Sequence, residues 1–132
     1  MLGDNKAMAS FSVDSIEEAE EFYGGTLGVK VEGDSGALWL HLTDGYDVLI
    51  YAKPDHVPAS YTILNFVVED IDEAVDRLLE RGVRLLRYET LGTDERGIVR
   101  GPEREIAWFV DPAGNNLSVA QFKTPFKQRG DS

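Results

Sequence analysis

Two stretches of the chain repeat one pattern of apolar and polar side chains. "MASFSVDSIEEAEEFY" from Met8 lies over "ILNFVVEDIDEAVDRL" from Ile63, with Phe11 on Phe66, Val13 on Val68, Ile16 on Ile71 and Ala19 on Ala74. Strict alternation at Ala9-Phe11-Val13 and Leu64-Phe66-Val68 predicts strands with one apolar face. A helix-opening signal follows each: Ser15 with Glu18, and Asp70 with Glu73. At such a start the cap side chain accepts from an amide of the first turn that has no partner within the helix. Ile71, Val75, Leu78 and Leu79 then recur at helical spacing. Gly28 and Gly82 fall where a helix closes on a left-handed residue, which glycine adopts without steric cost.

Later segments repeat as well. "DGYDVLI" from Asp44 parallels "AGNNLSV" from Ala113, pairing Leu49 with Ser118. Alternation predicts strands over 29–32, 37–42 and 47–51 in the first half, and over 84–88, 105–110 and 116–121 in the second. Asp111-Pro112-Ala113-Gly114-Asn115 is turn chemistry, with proline fixing φ and glycine free to take a positive one. The order is βαβββ twice, an α+β arrangement. It predicts one domain over 1–132 built of two modules, about 8–52 and 62–122. A proline-bearing linker at about 53–61 joins them, and a polar tail occupies 123–132.

On "FSVDSIEEAEEFYGGTLGVKV", "NFVVEDIDEAVDRLLERGV" and "AWFVDPAGNNLSVAQ", the chain resembles the vicinal oxygen chelate superfamily of glyoxalases, bleomycin-resistance proteins and extradiol dioxygenases. The resemblance runs from about residue 8 to residue 122. It implies a curved mixed sheet with helices on the convex side and a ligand in the concavity, the glyoxalase/bleomycin-resistance fold. It also implies a homodimer. Function varies widely on such a fold, so the resemblance alone names no activity.

If Phe11, Val13, Leu64, Phe66, Leu117 and Val119 meet the helices, the opposite faces carry Met8, Ser10, Ser12, Asp47, Leu49, Tyr51, Ile63, Asn65, Val67 and Ser118. Metal-dependent relatives take their ligands from four concave positions, commonly histidine and glutamate. Residue by residue, those positions hold Met8, Leu49, Ile63 and Ser118. Such ions want imidazole nitrogen or carboxylate oxygen, so no metal or other cofactor is expected. The expected binding set is Met8, Ser10, Ser12, His41, Leu49, Tyr51, Ile63, Asn65, Trp108 and Ser118. It is an apolar lining with a few polar points, the usual make-up of a small-molecule pocket. Trp39 and Trp108 occupy corresponding strands, as stacking platforms or as core. His41 shares a face with Trp39, and alternation leaves open whether that face is concave.

Charge and composition narrow the classes. The formal net charge of −11 argues against nucleic acid, whose phosphates call for Lys and Arg. It is compatible with a cationic organic ligand steered by an acidic cleft. With no cysteine there is no thiolate nucleophile or disulfide framework. No apolar run suits a membrane span, and "MLGDNKAMAS" lacks a signal peptide's apolar core, so a cytoplasmic protein is expected. "RYETLGTDERGIVRGPERE" reads as a mobile loop or as a lid whose Arg96, Arg100 and Arg104 would meet an anionic group. The function expected first is a metal-free small-molecule binder that sequesters or carries its ligand. The rivals are a lyase, isomerase or dioxygenase with an atypical site (using His41 or Asp47 as acid and base), and an accessory interaction module with a filled concavity.

Overall fold

The computed structural model describes residues 1–124; most of the tail predicted at 123–132 lies outside the described residues. The chain forms two compact units. The first comprises Met1–Pro58 together with Asp111–Asn115, and the second Ala59–Val110 with the chain from Asn116. The turn predicted inside the second module thus counts with the first unit. Two four-stranded mixed sheets and few helices make an α+β fold, the class that the repeated βαβββ order predicts.

In the first unit, β1 (Ala9–Val13), β2 (Lys30–Asp34), β3 (Ala37–His41) and β4 (Asp47–Ala52) pair in the order β1-β4-β3-β2. β1 runs parallel to β4 and the other pairs are antiparallel. Val13, Leu38, Leu40, Val48 and Ile50 are buried, and each fully buried side chain of this size contributes roughly 1.5–3 kcal/mol. Helix α1 (Ile16–Glu20) covers that face, and Ser15 Oγ accepts from Glu18 N at 3.2 Å. After five residues the helix widens into a π-helical turn over Glu21–Thr26, a departure that its apolar spacing did not predict. Gly24 and Gly25 weaken the α-helical ladder there. Gly24 also packs so closely that a Cβ would stand 3.0 Å from Val31. The turn delivers Tyr23, fully buried, into the core.

Tyr23 meets a carboxylate. Its hydroxyl donates to Asp111 Oδ2 at 2.7 Å, and Asn115 Nδ2 donates to the same oxygen at 3.0 Å. Asp111 Oδ1 accepts from the amides of Ala113 (3.0 Å) and Asn115 (2.8 Å). Asn115 Nδ2 also reaches the Ser12 carbonyl at 2.9 Å. A carboxylate with 3 % exposure is tolerable only with such a full set of donors. Burial, and then the Asp111 charge, push the Tyr23 phenol far above its ordinary range, so it stays a donor.

In the second unit, β5 (Thr62–Val67), β6 (Ile98–Arg100), β7 (Arg104–Val110) and β8 (Asn116–Phe122) pair in the order β5-β8-β7-β6. Helix α2 (Ile71–Glu80) packs Ile71, Val75 and Leu78 toward β7 and β8. Asp70 Oδ1 caps Glu73 N at 3.1 Å, and Gln121 Oε1 takes the free amide of Ile71 at 2.9 Å.

One predicted strand is corrected. Residues 84–88 make only an isolated bridge, Leu85 to Phe109, and the sheet's edge is β6, inside the stretch read as loop or lid. Charge placement explains why. Arg100 pairs with Asp72 (2.8 Å), Asp94 (3.2 Å) and Glu105, while Arg96 pairs with Asp76 at 2.6 Å. Asp94 Oδ1 further accepts from the amides of Arg96 and Ile98, both at 2.9 Å. The segment is therefore tied to α2 and to the sheet instead of hanging free. Each exposed pair contributes little alone, but Arg100 serves three carboxylates.

Removing the Tyr23 hydroxyl takes one of four donors from Asp111. Tyr23→Phe is expected to cost about 1–2 kcal/mol in urea unfolding. Asp111→Ala strands the tyrosine, the Asn115 amide and two backbone amides, and is expected to cost roughly 3 kcal/mol or more in the same measurement.

Candidate ligand-binding site

Each sheet has one face covered by its helix and one open face. The first unit's open face is set by register. Ser10 lies against Leu49, and Leu49 against Trp39; Ser12 lies against Tyr51, and His41 against Asp47. His41 therefore shares the open face with Trp39, Leu49 and Tyr51, which alternation alone left undecided. Its Nδ1 meets Asp47 Oδ1 at 2.9 Å and its Nε2 lies 3.4 Å from Glu32 Oε1. Trp39 donates its indole N–H to Asp34 Oδ2 at 3.3 Å. Met8 stands one residue before β1 and is 54 % exposed. Ser12 meets His56 Nδ1 at 2.7 Å, while His56 Nε2 lies 3.1 Å from the Ala113 carbonyl. A carbonyl only accepts, so Nε2 carries a proton toward it, while the serine hydroxyl can serve Nδ1 as donor or acceptor. Both ring nitrogens of His56 are thereby occupied.

The second unit's open face is built on β5, β8 and β7. Asn65 registers with Ser118, and Ser118 with Trp108. The register slips between Thr62 and Leu64, which makes Ile63 a bulge residue at the strand's start. Ser118 is fully buried, and its hydroxyl donates to Asn65 Oδ1. Trp108 donates to Thr62 Oγ1 at 3.1 Å and meets the Tyr88 ring edge-on at 5.2 Å. Asn116 completes the chain, accepting from Thr62 at 3.3 Å and donating to the Tyr88 hydroxyl at 2.9 Å. Beside this network lies a cavity of about 560 Å³. Ile63, Leu64, Val67, Ile106, Ala120 and Phe122 supply its apolar lining, with Asn65 and Arg104 as polar members. Leu64, Val67, Arg104, Ile106, Ala120 and Phe122 are absent from the expected binding set, and alternation assigns Leu64 to the helix side. Counting by twos from Trp108 and Ser118 would have found the four on β7 and β8.

A family model described as the Glyoxalase/Bleomycin resistance protein/Dioxygenase superfamily matches residues 7–119. The chain belongs to this superfamily. An antibiotic binding protein from Streptomyces sp. CB03234, TnmS3, is 26% identical over 90% of this chain and 98% of its own, with a TM-score of 0.64. A glyoxalase family protein from Bacillus anthracis is 21% identical over 90% and 97%, with a TM-score of 0.68. A lactoylglutathione lyase from Agrobacterium tumefaciens is 17% identical over 89% and 93%, with a TM-score of 0.65. The last two likenesses are likenesses of fold. No curated protein sequence matches the chain. No helix among the described residues is long and apolar enough to cross a membrane.

The superfamily's metal positions can be tested against this chain's donors. Leu49 and Ile63 offer only hydrocarbon, and Met8 a soft thioether. Ser118 is a neutral hydroxyl already committed to Asn65. Among the described residues no three His, Asp or Glu side chains are grouped as metal ligands. His41 does lie between two carboxylates, but it turns a different nitrogen to each, so the three groups share no common centre. The donor set does not fit a divalent transition ion.

The Asp47 hydrogen bond holds the His41 imidazole above its ordinary pKa, with Glu32 adding to it. A raised folded-state value means that the stabilising contribution is present at low pH and lost as pH rises through that value. NMR titration should therefore place the His41 midpoint above that of an unperturbed imidazole. Asp47→Asn should bring it down, with Glu32 sustaining part of the shift.

Proposed function

We propose that this superfamily member binds a small organic molecule on the open face of its sheet without a divalent metal, sequestering or carrying it instead of transforming it. The cavity of about 560 Å³, apolar with two polar groups, carries the reading. Its size falls within the roughly 300–1,000 Å³ typical of small-molecule sites. Hydrocarbon and neutral groups at Met8, Leu49, Ile63 and Ser118 support the metal-free part. Likeness to TnmS3, an antibiotic binding protein, points the same way. On the second unit's face Ile63, Asn65, Trp108 and Ser118 remain proposed binding residues, joined by Arg104 and Ile106; Met8, Ser10, Ser12, His41, Leu49 and Tyr51 remain proposed on the first unit's own open face. We also carry the expectation of a homodimer, which sedimentation tests directly.

A second reading, metal-free acid–base chemistry, has one observation in its favour. His41 sits on the open face with a carboxylate at each ring nitrogen, an arrangement that can hold and release a proton. Turnover of a methylglyoxal–thiol adduct or a catechol that is lost in His41→Gln would favour it over simple binding.

Native mass spectrometry and metal analysis of protein purified without chelators test the main reading. The expected result is no stoichiometric transition ion and no rise in melting temperature on adding Zn²⁺ or Mn²⁺. One tightly held ion per chain overturns the metal-free assignment.

A further inference from the structure

The cavity on the β5–β8–β7 face has a one-sided polar inventory. Among the described residues no carboxylate lines it. Asn65 Oδ1 is taken by the Ser118 hydroxyl, which leaves the amide hydrogens of Asn65 as its unused function. Arg104 has donors only. The polar lining side chains thus present hydrogen-bond donors, one of them a full positive charge.

Arg104 differs from the cations of the adjoining loop and strand end, Arg96, Arg100 and Lys123. The chain has 24 Asp and Glu against 13 Lys and Arg, so acidic partners are plentiful. Arg96, Arg100 and Lys123 are all paired, with Asp72, Asp76, Asp94 and Glu105 among them. Arg104 joins no ion pair among the described residues. Strand geometry explains this: neighbouring Glu105 points to the opposite face, where it meets Arg100 and Lys123. Phe122 lies in register with Arg104 and adds an aromatic ring to the same cavity.

We infer that the ligand of this site is an organic acid. Its apolar body seats on Val67, Ile106 and Ala120, its carboxylate, sulfonate or phosphate meets Arg104, and a carbonyl-type acceptor meets Asn65. The inference rests on the reading of this cavity as a small-molecule site. It replaces the cationic ligand expected from net charge, because surface charges beyond about 10 Å are screened while an adjacent guanidinium is not. Asn65 and Arg104 are two strands and four residues apart, about 16 Å between Cα atoms, so the ligand is elongate. Ser118 is a positioning residue, aiming Asn65.

Fluorescence titration of the full chain with 8-anilinonaphthalene-1-sulfonate and with N-phenyl-1-naphthylamine tests this. The two share an aromatic body and differ by the sulfonate. The expected result is saturable one-site binding of both, mutual displacement, and about tenfold or tighter affinity for the sulfonate, the scale of one charge-assisted hydrogen bond. Arg104→Gln should erase that preference while leaving the neutral probe within about twofold, and Arg104→Lys should restore part of it. Val67→Asp, at an exposed position on the same lining, should weaken the sulfonate selectively. Equal affinities in the native chain, or a sulfonate affinity untouched by Arg104→Gln, overturn the acid assignment and leave the pocket. Failure of both probes to bind overturns the small-molecule reading and this inference with it.

Discussion

The Asp111 carboxylate is the constraint on which the site geometry hangs. It is buried and charged, and it is tolerable only because Tyr23, Asn115 and two backbone amides all point at it. Those same bonds shape the turn between β7 and β8. Asp111 N donates to the Asn115 carbonyl at 3.1 Å, and Gly114, at φ +85°, closes the loop. Turn geometry sets hairpin register, and a slip of one residue would exchange the faces of a strand. Arg104, Ile106 and Trp108 share the open face with Ser118 and Ala120 because this turn holds.

Charge is sorted by face in the second unit. On the helix side, Arg96 and Arg100 are matched to acids of α2 and of their own loop, and Glu105 is matched to Arg100 and Lys123. Arginine suits this work because its planar fork serves several carboxylates at once. A stretch rich in glycine and charge thereby becomes a sheet edge. On the open side β7 presents Arg104, which joins no ion pair among the described residues, beside apolar side chains. The first unit does the reverse: Glu32, Asp34 and Asp47 gather around Trp39 and His41. A net charge summed over the chain hides this division.

At the four positions that the family resemblance matches to metal ligands, this chain has a thioether, two alkyl groups and a hydroxyl. Ser118 is drawn into the fold's own hydrogen bonding, its hydroxyl donating to Asn65 Oδ1. The position still shapes the site, acting through a neighbour instead of through an ion.

Much of the architecture follows from local order along the chain. The duplicated alternation, the Ser15 and Asp70 caps and the glycines at 28 and 82 marked βαβββ twice, since each depends only on residues within a few positions of one another. That Met8, Leu49, Ile63 and Ser118 carry no imidazole or carboxylate is a property of residue type and needs no fold. Three features were not legible. The π-helical turn at 21–26 accompanies a close approach of Gly24 to Val31 on β2, a contact that helical spacing does not reveal. The edge strand at 98–100 depends on Arg100 finding Asp72, a residue 28 positions earlier. The absence of an ion pair at Arg104 among the described residues depends on its neighbour Glu105 turning to the other face, to Arg100 and Lys123. Each is settled by which distant side chains become neighbours, and that is known only once the sheets have formed.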